Sequence, residues 1–464
     1  MAMDAAESLL RALRRGASTA AELEQELSRS RRWLWTHLPQ QVAAGRIVKI
    51  GARRDARYGL RRDIDGIGSA WPLRRIGPTG LIEDLGTLHA LVADQYAFAA
   101  QAGAVGRAFR CAALHEGLPY FLQDQRPGGF LGRAVPQHYP DLNLPRRVSD
   151  WTDDHYLRYL TVHGSDTVGD LILGASAFDE FVAGQRHLES VDCSQRPALY
   201  AGLAQQVMAG GLPGSSAHGE HPKFTALLNE NGQARHVLVK FSPPRGERVG
   251  QRWADLLIAE HHGHQVLQTA VLPAARSRIL AIEDRVYLEM DRFDRAGDRG
   301  RVGVTSLLSI DTHLHGKLDT WIAAALRLHA DRRIDTTALE QIRLAYAFAG
   351  LIANTDCHFG NLSFFDAYDG RFGLAPIYDM LPMLFAPEHD QIIVRRFEPA
   401  HPVSDTLAGW AAARTLAEHY WARIIADDRI SEDFRRIGTT CLAALESLPR
   451  TGPYADRSRH TSRP

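Results

Sequence analysis

The sequence predicts an α+β chain, on three observations. Apolar residues at helical spacing fill most of the first 45 positions, and a basic strand pair follows. Two alternating strands flank a turn at Asn229–Gly232. A long amphipathic helix, Ala338–Ala353, runs directly into Asn354-Thr-Asp356 and then a second hairpin. With 464 residues the chain has room for roughly three domains of about 150 each.

Composition narrows the class. Hydrophobic residues at 45% and charged residues at 23% suit a folded globular protein rather than a disordered one. The net charge is zero, so any contact with nucleic acid has to come from a local basic patch. Cys111, Cys193, Cys357 and Cys441 lie far apart with no CxxC pair, which argues for reduced thiols in a cytoplasmic protein. The first eight residues are acidic and lack an apolar core, so no signal peptide is expected. No apolar run approaches the ~20 residues of a membrane span, so no membrane partner is expected.

Residues 1–62 read as three helices and a hairpin. Leu9, Leu10 and Leu13 give the first helix. Ser18 or Thr19 caps the second, with Glu22 near its start and Leu23 and Leu27 on its inner face. Ser28 or Ser30 opens the third, which carries Trp33, Leu34, Leu38 and Val42 and ends at Gly45. Arg46–Ile50 alternates as a strand, a basic turn follows, and Tyr58–Leu60 returns. This is the pattern of a winged helix-turn-helix, with the third helix as reader and the hairpin as wing. The segment holds thirteen basic and six acidic side chains, a net of about +7. Arg31, Arg32, Lys49, Arg53 and Arg54 are the candidate contacts to double-stranded DNA. The alternative is a unit that binds protein or dimerises.

Trp71-Pro72 and Gly77-Pro78-Thr-Gly80 read as linker or turn. Residues 75–190 mix short strands and helices. The Pro/Gly-rich stretch His115–Gly129 reads as an ordered loop. His115 and Glu116 lack the second histidine that a metal pair needs, so a structural role is expected. Thr152 caps a helix with Asp153 and Asp154 in its first turn.

Gly210–Gly219 is rich in glycine and serine, and its backbone amides can cradle an anion. Lys223 follows, then a strand, a turn at Asn229–Gly232, and His236–Phe241, which carries Lys240. A strand lysine there is placed to pair with nucleotide phosphates. Arg285–Arg295 reads as a strand ending in a charged turn, its backbone near Glu289 and Met290 facing a nucleotide base.

The densest signal is Asn354-Thr-Asp-Cys-His-Phe-Gly-Asn361, then a hairpin across Tyr368-Asp-Gly370, then Tyr378-Asp379. An Asp, an Asn five residues later and a second Asp beyond a hairpin is the order by which kinases hold a substrate hydroxyl and magnesium. Asp356 would orient or deprotonate the attacking hydroxyl. Asn361 and Asp379 offer hard oxygens to Mg²⁺, and His358 supports the loop. ATP and Mg²⁺ are the implied cofactors. Taken without their context, these residues would merely cap a turn.

These segments resemble the HipA family of serine/threonine kinases, the toxins of type II toxin–antitoxin modules. Ser215-Ser-Ala-His-Gly-Glu-His-Pro-Lys223 is similar to the family's Ser-Ser-Ala-Gly-Gly-Glu-Gln-Pro-Lys. Met290-Asp-Arg-Phe-Asp-Arg295 is similar to Glu-Arg-Phe-Asp-Arg, and Ala375-Pro-Ile-Tyr-Asp379 to Ala-Pro-Ala-Tyr-Asp. Asn354–Asn361 resembles Asn-Gly-Asp-His-Lys-Asn variants, and Leu118–Gly128 the family's N-terminal subdomain. The resemblance implies a two-lobed protein-kinase-like fold with a helical C-lobe. It implies Lys240 on phosphate, Asp356 catalytic, and Asn361 and Asp379 on metal. Ser215, Ser216, Gly219 and Lys223 would lie at the nucleotide, with Ser215 or Ser216 as the site of autophosphorylation. The expected organisation is a winged helix-turn-helix at 1–62, a HipA-like N-terminal subdomain at 75–190, a kinase N-lobe at 195–295 and a helical C-lobe at 296–450. An antitoxin is a possible partner.

The sequence departs from the family in three places. His218 and His221 replace a Gly and a Gln of the loop. Arg252 stands where the lysine's glutamate partner usually falls, leaving Asp255 or Glu260 for that role, or no pair at all. The chain also carries its own helix-turn-helix-like unit. These departures frame an alternative, a DNA-binding regulator whose kinase-like part only senses nucleotide. A metal-dependent nuclease using Asp356, His358 and Asp379 is a third reading.

Overall fold

The computed structural model describes residues 5–52, 55–101, 109, 112–186, 189–211, 221–270, 272–389 and 391–448. The N-terminal elements are α1 (Ala5–Ala12), β1 (Ser18–Thr19), α2 (Ala20–Leu27), α3 (Arg31–Ala43), β2 (Ile47–Ile50) and β3 (Arg57–Leu60). Thr19 and Glu22 form a reciprocal capping box at α2: the Thr19 hydroxyl accepts from the Glu22 amide at 3.2 Å, and the Glu22 carboxylate from the Thr19 amide at 2.7 Å. Ser30 caps α3 through the Trp33 amide. Gly45 takes a φ of 72°, a left-handed turn that suits glycine and ends the helix. Leu9, Leu13, Leu23, Leu34, Leu38, Ile47 and Tyr58 close the small core. The three strands pair antiparallel in the order β1-β3-β2.

Next come β4 (Ala70–Ile76), β5 (Ile82–Ala90), β6 (Gln95–Ala100), β7 (Leu114–Glu116), α4 (Tyr120–Gln123), α5 (Gly129–His138), α6 (Asp153–His163), β8 (Leu171–Leu173) and α7 (Ala175–Arg186). The strands form an antiparallel sheet, β7-β6-β5-β4-β8. The linker expected at Trp71-Pro72 is therefore incorrect. Both residues lie in β4, an interior strand, and Trp71 is buried. Proline is tolerated because its missing donor falls at the end of the short β8 ladder, where the Pro72 carbonyl still accepts from the Gly174 amide. Gly77–Gly80 is the turn between β4 and β5. The stretch expected as one loop, His115–Gly129, holds the end of β7 and all of α4. His115 is a buried core side chain against Phe121, as a structural role requires.

The third group is β9 (Val191–Asp192), α8 (Arg196–Met208), β10 (Lys223–Glu230), β11 (Gln233–Phe241), α9 (Arg248–Thr269), β12 (Ser277–Ile282) and β13 (Arg285–Asp291). Its sheet runs β12-β13-β11-β10-β9. Asn231 and Gly232, with φ of 54° and 82°, make the tight β10–β11 turn. The remainder contains β14 (Arg295–Ala296), β15 (Gly300–Arg301), β16 (Val304–Ser306), α10 (Leu307–Leu314), α11 (Trp321–Ala330), α12 (Thr336–Leu351), β17 (Ser363–Asp366), β18 (Phe372–Leu374), α13 (Leu407–Ala426) and α14 (Glu432–Glu446). The largest core joins α9 and β13 to these C-terminal helices through residues such as Leu256, Leu288, Ile342, Phe348 and Trp421. Helix α9 is buried along most of its length and so ties the sheet to the helical lobe. Among the described residues no helix is long and apolar enough to cross a membrane. Cys193, Cys357 and Cys441 are free thiols, and Cys111 lies outside the described residues.

Candidate functional site

Strand alternation decides which side chains meet the cleft. On β10 and β11, Lys223, Thr225, Leu238 and Lys240 face a cavity of about 640 Å³. Phe224, Val237, Val239 and Phe241 point to the other face and pack with Tyr200 and Tyr287. Lys223 and Lys240 stand directly opposite each other in the ladder. The same alternation on β13 puts Met290 in the cavity and Glu289 behind the sheet. There the Glu289 carboxylate accepts from Tyr200 Oη at 2.6 Å and pairs with Arg196 and Arg235. The expectation for this segment concerned its backbone, and the Glu289 side chain takes no part in it. It is fully buried on the wrong face, and only its backbone remains for a base.

Lys240 is held from two sides. Its Nζ donates to Glu260 Oε1 and Oε2 at 2.7 and 2.9 Å and to the carboxylate of Asp379. Glu260, in the middle of α9 and 1% exposed, is the lysine's partner that the sequence left open. Asp255 instead accepts from the Ser431 amide and hydroxyl. Arg252 donates to the Phe385 carbonyl and lies over the Phe434 ring. Burial pushes the Glu260 carboxyl upward, with the Lys240 ammonium opposing it. Burial alone would also raise Asp379, but Lys240 outweighs it and holds that carboxyl low. The ammonium in turn stays protonated despite its burial because two carboxylates face it.

The loop after α12 is tied by Asn354. Its Nδ2 donates to the Asp379 carbonyl at 2.9 Å and its Oδ1 accepts from the Asp356 amide at 3.0 Å. One amide thus fixes both acidic segments, a role the sequence did not disclose. Asp379 has a φ of 55°, in the left-handed region that Asp tolerates better than bulkier residues. Asn361 donates Nδ2 to the Asp356 carbonyl at 2.8 Å, which leaves its own oxygen for the cavity it lines. Tyr378 Oη donates to the Gly360 carbonyl at 2.7 Å, locking the turn between them.

Asp356 is half exposed and is not among the cavity's lining side chains. Its partial burial raises its carboxyl; His358 opposes this, Asp379 adds to it and Lys240 again opposes. These mutual effects put it in the electrostatic reach of Asp379 and Lys240. His358 is an exposed side chain whose Nδ1 accepts from the Gly360 amide at 3.0 Å, and its carbonyl accepts from Trp321 Nε1. Its Nε2 is 4.0 Å from Asp356 Oδ1. These bonds tie it to the loop, and it lines the cavity.

Two hard oxygens, from Asn361 and Asp379, suit Mg²⁺ that takes its remaining ligands from phosphates and water. Among the described residues no group of three His, Cys, Asp or Glu side chains forms a self-sufficient metal cage.

Ser215, Ser216 and Gly219 lie outside the described residues, as do Arg53, Arg54 and His218. His221, the other loop departure, packs its ring against Trp253 with Nε2 buried and without a hydrogen-bond partner among the described residues, and burial lowers its pKa to about 3. In the N-terminal unit, Arg31, Arg32 and Lys49 are exposed. Arg31 lies 3.7 Å from Glu24, and Trp35 stands half exposed on the same helix.

Comparison with known proteins places this geometry in a family. Residues 67–182 match the middle domain of YjjJ-like toxins, and residues 215–438 match the HipA-like C-terminal domain. The chain is 34% identical over 432 residues to toxin YjjJ of Escherichia coli (strain K12), covering 92% of this chain and 94% of the relative. Its fold is similar to that of HipA from Shewanella oneidensis MR-1, solved with HipB and operator DNA. The TM-score is 0.52 at 15% identity, over 81% of this chain and 96% of that one. The match to toxin YjjJ over most of both chains, with a YjjJ-type middle domain joined to a HipA-like C-terminal domain on a mixed α/β HipA-like fold, makes this chain a member of the HipA-like toxin family.

Proposed function

We propose that this protein is an ATP- and Mg²⁺-dependent serine/threonine protein kinase that acts as a toxin and phosphorylates itself, with residues 1–62 binding duplex DNA. The observation that carries the reading is the convergence of Lys240, Glu260 and Asp379 at one end of a single cavity that Asn361 also lines. A strand lysine paired with a helix glutamate is how a kinase holds the α- and β-phosphates. In this reading Lys240 binds those phosphates, and Asp379 and Asn361 hold Mg²⁺, which supplies charge neutralisation at the phosphoryl group. Asp356 orients the substrate hydroxyl and accepts its proton, and Lys223 adds positive charge beside Lys240. Ser215 or Ser216 is the self-modified residue.

The Lys240–Glu260 pair also weighs against the nucleotide-sensing alternative, which drew on Arg252 as well as on His218 and His221. A nuclease reading gains nothing from a buried lysine in the site.

DNA binding rests on the exposed Arg31, Arg32 and Lys49 around α3 and the β2–β3 hairpin, with Arg53 and Arg54 as further candidates. The Shewanella HipA was solved with HipB and operator DNA, and an antitoxin is accordingly a proposed partner here. The units proposed to carry these roles are 1–62, 75–190, 195–295 and 296–450.

The test is incubation of the full chain with labelled ATP and Mg²⁺. Wild type is expected to incorporate phosphate and Asp356→Asn is not. Equal, absent incorporation in both, with ATP still bound, would favour the sensing alternative; Mg²⁺-dependent DNA cleavage without ATP would favour the nuclease.

A further inference from the structure

The cavity has a third wall, from the middle domain. The turn after α4 brings Asp124, Arg126 and Gly128 to the same space as Lys240, Asn361 and Asp379. This turn is clamped to the C-terminal lobe. The Asp124 carboxylate accepts from the Ser306 amide at 2.7 Å, the Ser306 hydroxyl at 2.6 Å and the Ser309 hydroxyl at 2.9 Å. Ser306 in turn pairs with Ser363 in the β16–β17 ladder, and the Leu307 amide donates to the Leu362 carbonyl at 2.7 Å. The anchor therefore sits beside the strand that directly follows Asn361.

Arg126 is held in one orientation. Its guanidinium lies 4.3 Å from the centre of the Tyr156 ring, and Nη2 donates to Asp153 Oδ1 at 2.6 Å. That contact uses one of its five N–H donors. Nε is buried and has no hydrogen-bond partner among the described residues. Among the other cations of the cavity wall, Lys240 is engaged by Glu260 and Asp379, and Arg292 by Asp294 and Asp166. A planar, preorganised fork with spare donors, lining the same cavity as Asn361 and Asp379, matches the oxygens of a phosphoryl group.

We propose that Arg126, supplied by the middle domain, contacts the terminal phosphoryl group of the bound nucleoside triphosphate and makes the site prefer a triphosphate over a diphosphate. This rests on the kinase reading above. It gives the middle domain a direct part in the reaction, beside the residues of the C-terminal domain.

The test is calorimetric titration of the full chain with Mg-ATP and with Mg-ADP. Wild type is expected to bind ATP more tightly. Arg126→Gln should weaken ATP about tenfold while leaving ADP within about twofold, collapsing the preference. Arg126→Lys, which keeps charge but loses the fork, should fall between, and it carries the test if the glutamine variant does not fold. Asp153→Asn separates the contact from a merely structural role. If Arg126 only braces α6, this variant should reproduce Arg126→Gln; if Arg126 contacts phosphate, it should shift the preference less. An unchanged ATP-to-ADP ratio in Arg126→Gln and Arg126→Lys overturns the proposal while leaving the kinase reading intact. Failure of wild type to bind ATP overturns both.

Discussion

Arg62 and Asp154 are joined by two parallel hydrogen bonds, 2.5 and 2.9 Å long, between the segment leaving β3 and the first turn of α6. The neighbouring Asp153 holds Arg126 in the cavity wall and also accepts from the Leu118 amide. Two adjacent carboxylates thus fix the N-terminal unit on one side and the cleft on the other. The unit is docked further by the Ala17 amide, which donates to Gln95 Oε1 at 2.7 Å, and by a shared cluster of Ala17, Val48, Ile50, Leu91 and Ala97.

Removing the pair should loosen this junction without unfolding the chain. Arg62→Ala is expected to cost about 1 kcal/mol, near the upper end for a partly exposed pair because the geometry is bidentate. Amide exchange across residues 58–64 should speed up while exchange in α12 stays unchanged. Equal exchange in both proteins would show that the apolar cluster alone sets the docking.

Glu260 is expected to matter to both stability and chemistry. Glu260→Ala strands a buried ammonium with one partner, and breaking such a pair costs about 3–5 kcal/mol. Glu260→Gln keeps a hydrogen-bond acceptor and should lose less stability. In phosphate transfer both should fall below wild type, with the loss read as kcat/KM for ATP.

Asp356 and Asp379 are expected to fail differently. Asp356→Asn should reduce transfer by about 10²–10⁴-fold with ATP still bound, because only proton removal and hydroxyl orientation are lost. Asp379→Asn removes a charge from beside Lys240 and from the metal, so the Mg²⁺ dependence of ATP binding should weaken as well. Identical Mg²⁺ titrations for the two variants would contradict the separate roles.

Two carboxyls outside the cleft predict a pH effect. Burial raises Asp170 to about 6 even though Tyr368 Oη donates to it and Arg75 lies near. Burial raises Asp366 to about 6 as well, against the Tyr368 amide, Thr305 and Tyr120, with Asp369 adding to the rise. An acid whose pKa rises on folding leaves the folded chain holding more protons than the unfolded one between about 4 and 6. Stability from these groups therefore falls as pH climbs through that window and is lowest above it. Asp170→Asn, neutral throughout and still an acceptor for Tyr368, should raise the melting temperature at pH 8 and change it little at pH 4.5. The gain is at most about 3 kcal/mol at 1.36 kcal/mol per pKa unit. A larger gain at the acidic pH would reverse the assignment.

If residues 1–62 contact DNA phosphates, charge reversal should act through salt. Arg31→Glu and Arg32→Glu are each expected to weaken binding to all duplexes similarly and to reduce the salt slope by about one. A change confined to one sequence would instead mark a base contact.

Much of the fold was legible because its signals are local. Thr19 with Glu22, Ser30 before Trp33, Gly45, and the Asn231-Gly232 turn each state a backbone requirement within four residues. Helix α12 and the hairpin beyond it were readable for the same reason, and they carry Asp356, Asn361 and Asp379 in order. Where a local signal conflicted with a distant one, the reading failed. Trp71-Pro72 has the composition of a linker, yet a neighbouring strand on either side and a buried indole make it part of a sheet.

Sequence alone determined the order of chemistry-bearing residues and the strand on which Lys240 sits, since spacing and periodicity are properties of the chain. Only tertiary structure decided which acid answers the lysine, because Glu260, Asp255 and Arg252 all lie on one buried helix and differ in what packs against them. It also decided that Glu289 turns away from the cleft and that Arg126 turns into it. Those outcomes depend on which face of a sheet or turn meets another lobe, and no window of sequence contains that meeting.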